Sequence, residues 1–213
     1  ALDAILQAID RSSFSTDQIG IALDIAASEY CNDQGYFLNK SGDQVYDQHR
    51  WVQYISSLID DYPIVSIEDI ASDVDFSTWR HATQQLSDRV QIVGDDIFVT
   101  QQARLQQGID NGMANAVLLK PNQVGTLSEM VSTMECALRG NYQAIISHRS
   151  GETEDALIAD IAVGLSCQQI KSGPLRQSDR LSKYNRLLWI ERELGNEAKF
   201  ATNVYSRFSR VLG

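Results

Sequence analysis

Six residues able to exchange protons, hold a metal ion or pair with an anion close six short β-branched runs of this chain. They are Asp24, Glu68, Asp95, Lys120, His148 and Lys171, ending the runs 20–24, 64–68, 90–95, 115–120, 142–148 and 168–171. Three carboxylates brought together from separate strands repel one another and raise each other's pKa unless a cation sits between them. An all-oxygen donor set favours a hard ion, Mg²⁺ before Ca²⁺, and gives no reason for zinc. Lys120 follows Ala116-Val117-Leu118-Leu119, so its stem has an apolar backing. Burial, a nearby metal ion and a second ammonium from Lys171 would all favour its neutral form, which is the form that acts as a base. Arg149 and Ser150 follow His148 and open a glycine-containing loop, an arrangement suited to clamping a phosphate. Taken singly, each acid reads more readily as a cap or a solvated charge, each lysine as a snorkelling surface residue, and His148 equally as a structural histidine. The repeated position at strand ends is what points to a site.

Those ends are separated by 44, 27, 25, 28 and 23 residues, and most of these intervals match one βα unit. Helical patterns fill them. Leu127, Met130, Val131, Met134, Ala137 and Leu138 share one face, with Thr126 and Glu129 as a capping box and Gly140 as the stop. Leu181, Tyr184, Leu187, Leu188 and Glu191 mark a second helix ahead of Gly195, and residues 156–165 are apolar nearly all round, which predicts deep packing. The longest interval holds an insertion at 30–47, rich in Gly, Asn and Asp. Strand and helix in alternation predict a parallel sheet with crossover helices in a single domain. No G-x-G-x-x-G follows the first strand, so a dinucleotide-binding sheet is disfavoured. Charged strand ends that converge on one mouth favour an α/β fold of the (β/α)8 TIM-type barrel, with about six of its eight βα units in this chain.

The composition bounds the partners. The chain has 213 residues, 43% hydrophobic and 22% charged, enough for a substantial core. Its net charge of −10 repels phosphate backbones and excludes a general nucleic-acid binder, so any phosphate bound here needs a local site. No apolar run is long enough to span a bilayer. Cys31, Cys136 and Cys167 form no C-x-x-C pair and read as packing residues of a reducing compartment. With no secretory or transit segment, the expected location is cytoplasmic. Leu2, Ile5, Leu6 and Ile9 already follow helical spacing behind Ala1, with no capping residue ahead of them, which predicts a piece of a longer chain.

Five strings carry a resemblance. Ser66-Ile67-Glu68-Asp69, Val93-Gly94-Asp95-Asp96, Leu118-Leu119-Lys120-Pro121-Asn122-Gln123, Ser147-His148-Arg149-Ser150-Gly151-Glu152-Thr153-Glu154-Asp155 and Gln169-Ile170-Lys171 occur in the order and at the spacing of enolases. Ala22-Leu23-Asp24 with Ser28-Glu29 begins the likeness, and Tyr184-Asn185 to Leu194-Gly195 continues it. The chain thus resembles the C-terminal barrel portion of the enolase (phosphopyruvate hydratase) family from its first helix to about residue 205. The resemblance implies a glycolytic lyase that dehydrates 2-phosphoglycerate to phosphoenolpyruvate. It implies that Asp24, Glu68 and Asp95 hold Mg²⁺, with two ions expected, and that Lys120 removes the C2 proton. Arg149 and Ser150 would bind the phosphate, Lys171 the substrate carboxylate, and His148 would lie beside the substrate as a catalytic or binding residue, with Glu68 also a substrate contact. Full-length relatives are dimers or larger, so a homo-oligomer is implied. Residues 1–213 match only the C-terminal part of the family's catalytic barrel, without its amino-terminal domain, its first barrel strands and the general acid those parts include; Ile70 stands where the family usually has Pro. Two alternatives remain: a non-catalytic fragment with a binding role, and a sister enzyme abstracting a proton beside another carboxylate, against which Arg149 and Ser150 speak.

Overall fold

The computed structural model describes residues 1–38 and 44–201. Contacts divide these residues into two compact units, the first comprising 1–97 and 110–115, the second 98–109 and 116–201.

The first unit begins with helix α1 (Leu2–Asp10), strand β1 (Ile21–Asp24) and the short strands β2 (Cys31–Asn32), β3 (Gly35–Phe37) and β4 (Val45–Tyr46). Helix α2 (Gln48–Asp61), strand β5 (Ile64–Glu68), helix α3 (Phe76–Leu86) and strand β6 (Gln91–Gly94) follow. β5 pairs in parallel with β1 on one side and β6 on the other. All four residues of β6 are buried, as expected of a parallel strand covered on both faces. The insertion foreseen at 30–47 contributes β2, β3 and β4, an antiparallel sheet of its own. Its Tyr36 stacks on Trp51 of α2, ring centroids 4.8 Å apart and planes within 12°.

These aromatics fasten the segment that leaves β5. Trp51 Nε1 donates to the Ile70 carbonyl at 2.8 Å and Trp79 Nε1 to the Ser72 carbonyl at 3.0 Å. The Ser72 N–H donates to the Tyr36 hydroxyl at 3.1 Å, which in turn donates to Asp75 at 2.8 Å. Asp75 is also the N-cap of α3, accepting from the Thr78 N–H at 3.1 Å. Burial pushes the Asp75 carboxyl up, but the hydrogen bonds from Thr78, Ser77 and Tyr36 outweigh it and hold it below its ordinary value. Ile70, whose carbonyl Trp51 holds, is fully buried.

The second unit carries most of helix α4 (Gln102–Asp110), then strand β7 (Ala116–Leu119), helix α5 (Leu127–Arg139), strand β8 (Gln143–Ser147), helix α6 (Leu157–Gly164), strand β9 (Gln169–Lys171) and helix α7 (Ser178–Leu194). β8 pairs in parallel with β7 and with β9. α5 starts as foreseen: the Thr126 hydroxyl accepts from the Glu129 N–H at 3.2 Å and donates to the Glu129 carboxylate at 2.6 Å. Cys136 and Cys167 are buried free thiols, while Cys31 is partly exposed.

Two sequence expectations are corrected. α6 buries Ile158, Ala159, Ile161 and Ala162, but Leu157 and Val163 are exposed, so only one side of this apolar helix is packed. In α7 the apolar positions Leu181, Tyr184 and Leu187 are only half buried and Leu188 is exposed. The buried residues there are Arg180, Lys183 and Ile190. Ranking residues by hydropathy misplaced the face because its innermost positions are cations held by hydrogen bonds.

Replacing Asp75 by Ala removes the α3 cap and orphans a buried tyrosine hydroxyl. It should cost about 2 kcal/mol in urea unfolding. A loss below about 0.5 kcal/mol would show that the network does not hold this corner.

Candidate active site

In the first unit the three foreseen acids stand on adjacent strand ends. Asp24 lies opposite Glu68 across the β1–β5 pair, and Glu68 lies opposite Val93, two residues before Asp95. The ladder continues past the strands: Ile25 N–H donates to the Glu68 carbonyl at 3.0 Å and Asp69 N–H to the Val93 carbonyl at 3.0 Å. Glu68 and Asp95 are buried, each 6% exposed, whereas Asp24 is exposed.

Asp69, a residue given no role from sequence, braces this end. At a φ of +46° its backbone is in the left-handed region that aspartate tolerates better than most side chains. Its two carboxylate oxygens accept the N–H of Asp95 at 2.9 Å and of Asp96 at 3.2 Å. Burial is the main reason its pKa rises to about 7; the two amide donors pull it down, and the charges of Asp95 and Asp96 push it up again. The carboxylates of Asp69, Asp95 and Asp96 offer oxygens within 4.8 Å of one another, a group able to hold a metal ion; Asp24 and Glu68 lie outside it. The donor chemistry at these ends is oxygen only, which suits a hard divalent cation that would also relieve the repulsion Asp69 registers.

The second unit gathers the foreseen basic residues. Lys120 follows β7 directly, and its N–H donates at 2.9 Å to the hydroxyl of buried Thr100, which donates to Gln123 at 2.6 Å. Ser147 lies opposite Lys171 in the β8–β9 pair, and the His148 N–H donates to the Lys171 carbonyl at 2.9 Å. The Arg149 N–H donates to Glu152 at 2.9 Å, and its guanidinium reaches Asn122, two residues past Lys120, at 2.9 Å. Three neighbouring strand ends thereby present Lys120, His148 with Arg149 and Ser150, and Lys171.

α7 holds this loop from behind. Lys183, buried, donates to the Thr153 and Asp179 carbonyls, both at 2.6 Å, and pairs with Glu152 at 3.1 Å. Arg180 donates to His148 Nδ1, to the Arg149 carbonyl at 2.7 Å and to the Ser150 carbonyl at 2.9 Å. The Tyr184 hydroxyl donates to the Gly173 carbonyl at 2.6 Å. Burial, then the Arg180 and Lys171 charges, hold the His148 imidazole below its ordinary pKa. Sequence reasoning missed Arg180 and Lys183. The signal was there in their spacing, because Arg180, Lys183, Tyr184, Leu187 and Ile190 follow i, i+3, i+4, i+7, i+10, the stripe of a buried helix face.

Parallel strands crossed over by helices, with acids or cations at each carboxyl end, define an α/β enzyme-type scaffold of the barrel class. A family model described as "Enolase, C-terminal TIM barrel domain" matches residues 1–208. The chain belongs to that family, and its fold is that TIM barrel domain. No helix among the described residues is long and apolar enough to cross a membrane.

Asp69→Asn keeps the size of the brace but replaces one acceptor oxygen by a donor. Hydrogen exchange at the Asp95 and Asp96 amides should quicken by roughly tenfold, the scale of one charge-assisted hydrogen bond. Unchanged exchange at both amides would remove Asp69 from its bracing role.

Proposed function

We propose that this chain carries the metal-holding and base-bearing residues of an enolase, a Mg²⁺-dependent lyase converting 2-phosphoglycerate to phosphoenolpyruvate. The observation that carries the reading is the placement of Lys120 in one unit with His148, Arg149, Ser150 and Lys171, at the ends of three paired strands. Such a cationic rim matches a substrate bearing both a carboxylate and a phosphate. Membership of the enolase family supports the same assignment.

Lys120 takes the C2 proton on its Nζ. Lys171 pairs with the substrate carboxylate, and Arg149 with Ser150 holds the phosphate, so that C2 stays within reach of the base. His148 lies beside the substrate as a hydrogen-bonding partner. Asp24, Glu68 and Asp95 are the proposed ligands of two Mg²⁺ ions, and Asp69 keeps the Asp95 backbone in place. When bound, Mg²⁺ supplies electrostatic stabilisation of the negative charge that builds on the substrate carboxylate.

Exchange of the C2 proton of 2-phosphoglycerate with deuterated solvent, followed by mass spectrometry on the full-length protein, tests this. Lys120→Ala should slow exchange by about 100-fold or more, the usual contribution of a general base, while calorimetric Mg²⁺ binding stays nearly intact. Asp95→Ala should instead abolish Mg²⁺ binding. Normal exchange in Lys120→Ala would disprove the assigned base. A wild-type protein that binds Mg²⁺ but never exchanges this proton would point to a different carboxylate substrate.

A further inference from the structure

Arg180 lies on α7, is only 6% exposed and directs its guanidinium at the loop that carries His148. Nη1 donates to His148 Nδ1 and to the Arg149 carbonyl, Nη2 donates to the Ser150 carbonyl, and Nε pairs with Asp179 at 3.2 Å. An arginine has only donors and keeps its charge at every physiological pH. The contact with Nδ1 can therefore have one polarity. The Nδ1 lone pair accepts, and in the neutral ring the single N–H must lie on Nε2.

Packing keeps the ring in that seat. Gly173 has a φ of +81°, and a Cβ added there would stand 2.9 Å from His148 Cε1 and 3.1 Å from Arg180 Cδ. The Gly173 carbonyl is itself tied to α7 by the Tyr184 hydroxyl. One helix face thus fixes both the imidazole and the backbone packed against it.

We propose that Arg180 is a positioning residue for His148, fixing the imidazole proton on Nε2 so that this loop offers an N–H donor, beside Arg149 and Ser150, to an anionic group of the substrate. The role rests on the reading of His148 as a residue beside the substrate. Charge around the ring acts in the same sense. Burial, Arg180, Lys171 and Lys120 disfavour the imidazolium, and Glu152 favours it. Protonating Nδ1 would also break the Arg180 hydrogen bond and set two cations against each other, so the donor geometry should fail as the pH falls below the ordinary histidine range.

Long-range ¹H–¹⁵N correlation of histidine in the full-length protein reads the tautomer directly, with His148→Gln to assign the signals. In wild type at neutral pH, Nδ1 should appear as an unprotonated nitrogen and Nε2 as N–H. Arg180→Met should give mixed tautomers, raise the pH at which His148 titrates, shift the acid limb of the kcat/KM profile the same way, and lower kcat/KM at neutral pH by about tenfold or more. Arg180→Lys, which can still donate to Nδ1, should recover the Nε2–H form in part. Arg186→Gln, which breaks the ion pairs with Asp160 and Glu193, should leave the His148 signals unchanged. A wild-type ring protonated on Nδ1 overturns the proposal even if Arg180→Met does not fold, and so does an Arg180→Met protein with the wild-type tautomer and titration. The expected tautomer in a wild-type protein that does not exchange the C2 proton would support the positioning role and reject 2-phosphoglycerate as the substrate.

Discussion

A buried cation must be surrounded by acceptors, and in this chain that requirement ties α7 to the chemistry of the β8 and β9 ends. Removing an arginine or a lysine from water costs several kcal/mol unless its donors find partners. Arg180 and Lys183 find theirs in the carbonyls of Arg149, Ser150, Thr153 and Asp179, in His148 and in the Glu152 carboxylate, while Arg180 Nε makes no hydrogen bond and lies at ion-pair distance from Asp179. A loop of this composition, with a glycine and five charged or hydroxyl side chains between His148 and Asp155, would otherwise sample many conformations. The cations convert the desolvation they demand into a fixed loop, and the side chains facing away from α7 inherit that order.

The first unit meets the opposite difficulty with the opposite charge. Glu68, Asp69 and Asp95 are all buried near one sheet end, and the pKa of Asp69, raised to about 7 first by burial and then by the Asp95 and Asp96 charges, shows what that setting costs a carboxylate. Backbone amides of Asp95 and Asp96 meet part of the demand. The segment after β5 cannot relax away from this strain, because two indoles and a tyrosine hydroxyl hold its carbonyls and amide. The unit keeps like charges close by making the backbone that bears them rigid, which the cation site proposed there would require.

What could be read in the sequence follows from which forces leave a one-dimensional trace. The six parallel strands were legible because each is a short run with β-branched or aliphatic residues closed or followed by a polar one, and β6, β7 and β8 are almost wholly buried besides. The α5 cap was legible because Thr126 and Glu129 sit at the spacing the cap geometry needs. The small sheet of β2, β3 and β4 left no trace beyond turn-forming residues, since strands of two or three residues are too short to show a period. Asp69 was invisible because its role depends on two amides 26 and 27 positions further on. Arg180 and Lys183 were misread for a different reason. Hydropathy assigns cations to the solvent side, and only the helical stripe they share with Tyr184, Leu187 and Ile190 reveals their burial.

Charge also bears on how a chain of net −10 could serve the anionic substrate proposed for it. At physiological ionic strength the Debye length is about 8 Å, so acids scattered over the outer helices are largely screened from an approaching ligand. Groups in direct contact are not, and in the proposed site at the β7, β8 and β9 ends those would be Lys120, Arg149 and Lys171. Arg180 adds to their number without being spent on the ligand, because its donors already serve His148 and two carbonyls. On the proposed reading it contributes positive potential and fixed geometry while leaving Arg149 and the His148 Nε2 edge to make the contacts. An anion arriving there meets donors already in place, and that preorganisation, more than the overall charge, decides whether it is held.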